Sequence, residues 1–289
     1  MPGTQPIPGL GRVVGEATFL QLAPTVAYAL SDRVSIGVAP TPTLAKIGTM
    51  PLAFAAPNDA NGDGLPTYPA GLGTRSHWGA GFQVGLFVSG AGPWRFGVSY
   101  KSPQWFDDFE FVTTDELGGD RRVTLDFDYP SIVSAGASFV GVDDLTIAVD
   151  VRYLDYEDTN GFEAAGFDGT GAVTGLGWRS VVSLGVGAEC RATSRLSFRG
   201  GYAYNDNPIP AANTFFNVAA PLVVTQVVSA GASVGVTDRV GVDLSFVRGL
   251  RNTVSGPFHV PGVGALPVVT SITSEVAANA FDVGLVTRF

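Results

Sequence analysis

One cysteine, two histidines, two methionines and a 15% share of charged residues leave this 289-residue chain short of the usual ingredients of site chemistry. The single cysteine, Cys190, excludes an intrachain disulfide, and with it the small secreted scaffolds that depend on such bridges. Acidic residues outnumber basic ones by 26 to 17, a net charge of −9, so the basic surface that displaces counterions from phosphates is missing and no nucleic-acid partner is expected. The opening MPGTQPIPGLGRVVGE has no basic start and no apolar stretch, and its prolines break a helix, so it does not read as a signal peptide. The stretch 211–237, within the longest uncharged run, is interrupted by Pro221 and carries the β-branched Val223, Val224, Thr225, Val227 and Val228. It alternates rather than repeating at helical period, which disfavours a spanning helix. No cofactor is expected.

What the chain has instead is glycine and grease. Its 38 glycines are about twice the usual share of roughly 7% and are scattered through apolar segments. Hydrophobic residues reach 45%, with a mean hydropathy of +0.25. One pattern keeps returning: AYALSDRVSIGV (27–38), FVSGAGPWRFGVSY (87–100), FVGVDDLTIAVDV (139–151), AECRATSRLSFRGG (188–201) and SVGVTDRVGVDL (233–244). Each is an alternating strand, a short polar turn and a second alternating strand, which is a hairpin signal. Much longer connections lie between the hairpins, at residues 47–75, 114–121, 158–177, 206–221 and 250–270. Short and long connections therefore alternate along the whole chain.

A soluble β-sandwich shows the same alternation within strands but has no reason to sort its loops by length. Outer-membrane barrels do, with short periplasmic turns and long extracellular loops. The parity of the side chains agrees. Leu145, Ile147, Val149, Val151 and Tyr153 share one face, with Thr146, Ala148, Asp150 and Arg152 on the other. Trp94, Phe96, Val98 and Tyr100 oppose Arg95, Gly97, Ser99 and Lys101. Leu196, Phe198, Tyr202 and Tyr204 oppose Ser197, Arg199, Gly201 and Ala203. Reversing the register places each Arg or Lys against lipid at about 2–4 kcal/mol near mid-bilayer. The predicted fold is an all-β antiparallel transmembrane barrel: residues 1–16 form an N-terminal loop segment and 17–289 the barrel. Five hairpins pair ten strands, at 17–30 with 33–45, 76–89 with 93–112, 122–140 with 144–157, 178–191 with 195–205, and 223–236 with 239–249. A last strand at 271–289 makes eleven. Bacterial single-chain barrels have even counts, so the odd number means either a miscounted strand or an absent N-terminal part, and the latter is the preferred reading.

PTVAYALSDRVSIGV (24–38), WRFGVSYKSP (94–103), DYPSIVSAGASF (128–139), DVRYLDY (150–156), GWRSVVSLGVGAECR (177–191) and RGGYAYNDNPIP (199–210), with the terminal RF, carry a resemblance. From about residue 17 onward the chain resembles the outer-membrane long-chain fatty-acid transporter family of FadL/TodX type. That resemblance implies about eleven strands of an expected fourteen, in the Gram-negative outer membrane. The plug and first three strands have no counterpart here. It implies passive uptake of fatty acids or other hydrophobic small molecules rather than enzyme activity. A general polar-solute porin and a non-transport structural or adhesin barrel are the alternatives.

The expected partners are the hydrophobic ligand, outer-membrane lipid, and the barrel-assembly machinery acting on the last strand, which ends in Phe289. Arg95, Lys101, Arg179 and Arg199 face the lumen by parity and are candidates to meet a carboxylate, Arg offering a fork suited to that group. They also suit an ion-pair network that fills the lumen. Tyr156, where the family usually shows Trp, joins the lumen candidates. Phe215 and Phe216 are candidate loop residues for first capture. Asp59, Asn61 and Asp63 alternate before Gly64 as in a calcium loop, but Ala70 stands where a full EF-hand loop needs Glu. His77 and His259 have no serine and acid at recognisable spacing, so no hydrolase triad is read. Trp78, Trp94, Trp105, Trp178, Tyr153, Tyr202 and Tyr204 are expected in an interfacial girdle.

Overall fold

The computed structural model describes residues 13–71, 74–90, 92–237, 239–260, 264–265 and 271–287. The expected contact of Phe289 with the assembly machinery lies outside them, as does most of the N-terminal loop segment. The first strand is in place from Val14, three residues ahead of its expected start.

The chain begins β1 (Val14–Gln21), β2 (Val26–Ala29), β3 (Val34–Pro40), β4 (Thr43–Met50), β5 (Arg75–Ala80) and β6 (Phe82–Ser89). It continues β7 (Trp94–Lys101), β8 (Trp105–Phe106), β9 (Phe109–Thr114), β10 (Asp120–Leu125), β11 (Ser131–Val142) and β12 (Leu145–Asp155). It closes with β13 (Val181–Thr193), β14 (Leu196–Asn205), β15 (Gln226–Gly235), β16 (Val240–Pro257), β17 (His259–Val260), β18 (Gly264–Ala265) and β19 (Ser271–Thr287). Eleven of these form one antiparallel wall in the order β2-β3-β6-β7-β11-β12-β13-β14-β15-β16-β19. The wall strands stand side by side in the order in which the chain reaches them, as in an up-and-down barrel. Among the described residues no helix is long and apolar enough to cross a membrane; the strands make the crossing.

The burial pattern is inverted relative to a soluble sheet. Along β6, Phe82, Val84 and Leu86 are exposed while Gln83 and Gly85 between them are half-buried. The same holds for Trp94, Phe96 and Val98 of β7 and for Leu184 and Val186 of β13. No second sheet covers this apolar face among the described residues, so the sandwich is excluded. Phe281, Val283 and Leu285 of β19 are 78%, 77% and 71% exposed, against 48% for Leu244 on the adjacent strand. The excess follows from position, because β19 has a wall neighbour on one side only.

The four strands at the other edge of the wall are each broken at the same level. β1 and β2, β3 and β4, β5 and β6, and β7 and β8 are successive halves of single strands, interrupted at residues 22–25, Thr41–Pro42, Gly81 and 102–104. Pro42 and Pro103 cannot donate to a ladder. Gly81 is required sterically, since a Cβ there meets the Gln104 amide nitrogen at 2.3 Å and the Pro103 carbonyl at 2.6 Å. Beyond the crease β1, β4, β5 and β8 form a separate four-stranded sheet. The expected continuous strand at 93–112 is thus a correction: it stops at Lys101, and β9 turns away to pair with β10 as a hairpin. For the same reason the expected strand at 122–140 begins only at Ser131. The long connection there is 102–130, and residues 114–121 are only its hairpin turn.

Candidate functional site

The apolar core lies at the loop end, in two clusters. Ala45, Ile47 and Leu52 pack against Phe109, Phe111, Val123 and Leu125 of the β9–β10 hairpin. Its Phe-Glu-Phe alternation places Phe109 and Phe111 on the buried face and Glu110 in solvent. Tyr156, Phe162, Trp178, Val181, Ile209 and Val223 form the second cluster, and Phe127 packs against both.

Aromatic rings run continuously between the clusters. His77 stands edge-on to Phe109 at 4.8 Å, Phe109 lies 5.9 Å from Phe106, and Phe106 lies 6.2 Å from Phe19. Phe19 stacks on Phe127 at 6.3 Å, and Phe127 is 5.1 Å from Phe162. Phe162 and Tyr156 each meet Trp178 at 4.9 Å. These centroid separations fall within the range of favourable aromatic pairing. Burial pushes the Tyr156 hydroxyl well above the ordinary phenol range. Trp178 therefore belongs to the mouth and corrects the girdle assignment. Trp78, Trp94, Trp105, Tyr153, Tyr202 and Tyr204 are exposed, as a girdle requires.

A polar hub holds the crease beside this chain. The buried Gln104 carboxamide oxygen accepts from Thr41 Oγ1 at 2.8 Å, Thr43 Oγ1 at 3.0 Å and Gln21 Nε2 at 2.9 Å. Its nitrogen donates to the Ser102 carbonyl at 3.0 Å. Three of the four broken strands are thereby tied through one amide, and every member is satisfied, as burial demands.

Under the mouth the concave face of the wall is polar. One trough of about 760 Å³ is lined by Thr146, Asp150, Glu189, Arg199, Asp243 and Asp282. Another of about 550 Å³ is lined by Gln83, Ser99, Lys101, Ser134 and Arg152, with Asp150 shared between the two. Asp150 pairs with Arg152 at 3.2 Å, and Arg199 Nε with Glu189 at 2.5 Å. Asp282 accepts from Ser245 at 3.2 Å.

The lumen candidates separate by depth and by partner. Lys101 lies at the mouth end of β7, its ammonium 5.1 Å from the Tyr129 ring centroid. Arg199 sits three residues from the start of β14, near the tight turns, with its fork engaged by Glu189. Arg95 is near the same rim, in register with Ser89 and Ser138. Arg179 lies outside any strand, since β13 starts at Val181; it is exposed, and its amide donates to the Pro208 carbonyl at 2.8 Å.

The loop candidates are less exposed than expected. Phe215 is buried and Phe216 half-buried, grouped with Phe167, Phe258 and His259 at ring separations of 4.8–6.1 Å. Buried Asn217 fixes this loop, accepting from Trp178 Nε1 at 2.5 Å and donating to the Leu176 carbonyl at 2.8 Å. Asp59, Asn61 and Asp63 turn their oxygens onto the loop's own amides, at 2.8–3.0 Å from Asp63, Gly64 and Leu65. Among the described residues no group of three or more His, Cys, Asp and Glu is placed to hold a metal. Tyr68 donates to the Gly171 carbonyl at 2.6 Å, and burial, then the charge of Asp168, push its hydroxyl up to about 12.

Sequence reasoning missed Phe19, Phe106, Phe127, Phe162 and Gln104. The alternation of Phe109 and Phe111 was a usable signal for an amphipathic hairpin; no local pattern marks the others.

A family model described as outer membrane protein transport protein (OMPP1/FadL/TodX) matches residues 11–280. No curated protein sequence matches the chain. Among solved structures it is similar to the toluene transporter TbuX of Ralstonia pickettii, with 15% identity and a TM-score of 0.62 over 94% of this chain and 68% of that one. A Pseudomonas aeruginosa FadL homologue gives 14% identity and a TM-score of 0.68 over 94% and 67%. The toluene transporter TodX of P. putida gives 13% and 0.59 over 94% and 70%. At these identities the likeness is one of fold.

Proposed function

The chain belongs to the outer membrane protein transport protein family (OMPP1/FadL/TodX), and on that premise we propose that it carries long-chain fatty acids or other hydrophobic small molecules passively across the Gram-negative outer membrane. The continuous aromatic path from Phe109 to Trp178, inside a wall whose outer face is also apolar, carries this reading. A polar-solute porin has no use for an oily mouth above its bore. An aromatic path offers a hydrocarbon successive contacts in place of water, so transfer inward needs no energy source, only a gradient.

Below the path Lys101 is the cation a descending ligand meets first. It can hold the carboxylate of a fatty acid while the tail remains among the rings, whereas Arg199 is already neutralised by Glu189. Phe215 and Phe216 stabilise the loops around the path and offer a partly open edge through Phe216. The last strand, β19, is our candidate for recognition by the assembly machinery.

The test pairs single-channel conductance with laurate and toluene binding in reconstituted protein. Near-silent conductance with saturable binding supports the proposal. Steady large openings without binding overturn it in favour of a porin.

A further inference from the structure

The outward face of the wall changes character abruptly at one row. Across β14, β15, β16 and β19, Gly200, Ala230, Phe246 and Phe281 are in register and wholly apolar, as are Phe198, Ala232, Leu244 and Val283 one repeat nearer the tight turns. Two residues toward the loops the row reads Tyr202, Val228, Arg248 and Asn279. All four are exposed on the lipid-facing side. Just beyond this row the β16–β19 ladder bulges between Gly249 and Asn252. Above the bulge the exposed residues are polar, with Arg251 and Glu275 paired at 2.8 Å.

The hydrogen bonds within the row use its acceptors and leave donors. Arg248 Nη1 donates to Asn279 Oδ1 at 2.8 Å, so the Asn279 amide nitrogen is what remains. Tyr202 Oη donates to Gln226 Oε1 at 3.0 Å, so Gln226 likewise has its nitrogen left. Among the described residues no carboxylate pairs with Arg248; the nearest along the strands, Glu275, is held by Arg251 and Thr253. The remaining donors of a guanidinium that no carboxylate neutralises, with two amide nitrogens, thus face outward at the rim of an apolar belt. That combination suits an anion, and an anion at that depth with acyl chains below it is a lipid headgroup phosphate.

We propose that Arg248, Asn279 and Gln226 form a binding site for a phosphorylated lipid of the outer leaflet, its acyl chains lying along Phe246 and Phe281. The site is on the outer face of the wall and separate from the cargo path, so cargo binding measured in parallel distinguishes its failure from failure of the transport reading.

Full-length protein extracted from outer membranes in mild detergent is titrated with diphosphoryl lipid A, with the same lipid stripped of its phosphates, and with inorganic phosphate, and complexes are counted by native mass spectrometry. Diphosphoryl lipid should be retained at least about ten-fold better than the dephosphorylated form, the order expected for hydrogen bonds to a charged group. Arg248→Gln should remove that preference and Asn279→Ala weaken it, while Arg251→Gln leaves it in place; heat-modified mobility confirms that each variant is folded. Equal retention of the two lipids, or an unchanged preference in folded Arg248→Gln, overturns the site. Saturable inorganic phosphate binding without lipid preference overturns the lipid as its occupant.

Discussion

The wall and the mouth of this molecule solve the burial problem in opposite ways. In the wall, apolar side chains face outward and lipid covers them, so each strand needs only its two neighbours and one rule of alternation. In the mouth, segments far apart in sequence meet ring to ring: Phe19, Phe106, Phe127 and Phe162 come from four different stretches. One region is stabilised by its solvent and its ladder, the other by buried rings packed on one another, as in a soluble core. The sharpest way to break this comparison is to damage one region and ask whether the other responds.

Truncating the rings comes first. Phe109 and Phe162 are 0% and 5% exposed, and replacing a buried Phe with Ala typically costs about 3–5 kcal/mol. Phe162→Ala should open segments 102–130 and 156–180 to protease and abolish laurate binding, while the heat-modified mobility of the barrel is kept. Loss of that mobility shift together with the loops shows that wall and mouth unfold as one unit.

A charge placed on the wall is the next largest effect. Val149→Arg puts a guanidinium against lipid at about 2–4 kcal/mol near the midplane, whereas Thr146→Arg enters the lumen beside Glu189 and should stay within about 0.5 kcal/mol. Urea unfolding from bilayers measures both. Equal losses from the two substitutions contradict the assignment of the faces.

The same contrast explains what could be read in advance. Wall parity was legible because a period of two assigns every side chain to a face, and an Arg or Asp on the wrong face is too unfavourable to be frequent. The eleven-strand count and the tight turns followed, including the turn at Asp144, whose φ of 61° suits an Asp better than a β-branched residue. The crease was not legible: Pro42, Gly81 and Pro103 lie on different strands, and only the register shows that they align. Nor was the inward turn of β9. Its apolar residues Phe109 and Phe111 fall on odd positions, whereas Trp94, Phe96, Val98 and Tyr100 of β7 fall on even ones; that slip of phase marks a break after β7 but does not tell which way the chain turns. Tyr156 and Lys101 were visible as residue types, but their depth and partners come from loops that close over them. Trp178 was assigned to the girdle because an aromatic near a strand end has the same local signature whether it faces lipid or the bore.

The smallest expected effect is the most specific to the mouth. Asp126 and Asp128 follow the β9–β10 hairpin, and burial raises both carboxyls above the ordinary range; repulsion from Asp108 and Glu163 adds to this at Asp126, and from Asp126 and Asp108 at Asp128. The amide of Phe106 at 2.9 Å and Asn160 Nδ2 at 3.1 Å oppose the shift at Asp128 without reversing it. A carboxyl whose folded pKa lies above its unfolded value binds protons more readily in the folded state. The stabilisation is complete below the unfolded value near 4 and is lost as pH rises through the raised folded value. The mouth should therefore resist protease better in mildly acidic buffer than at neutral pH, with the wall unchanged across the same interval. Asp126→Asn removes one of the two titrating groups, and its repulsion of Asp128, while keeping the shape; it should shrink the pH dependence by raising the resistance at neutral pH. A profile in which resistance increases toward neutral pH, or one that Asp126→Asn leaves intact, assigns the pH response to groups outside the mouth.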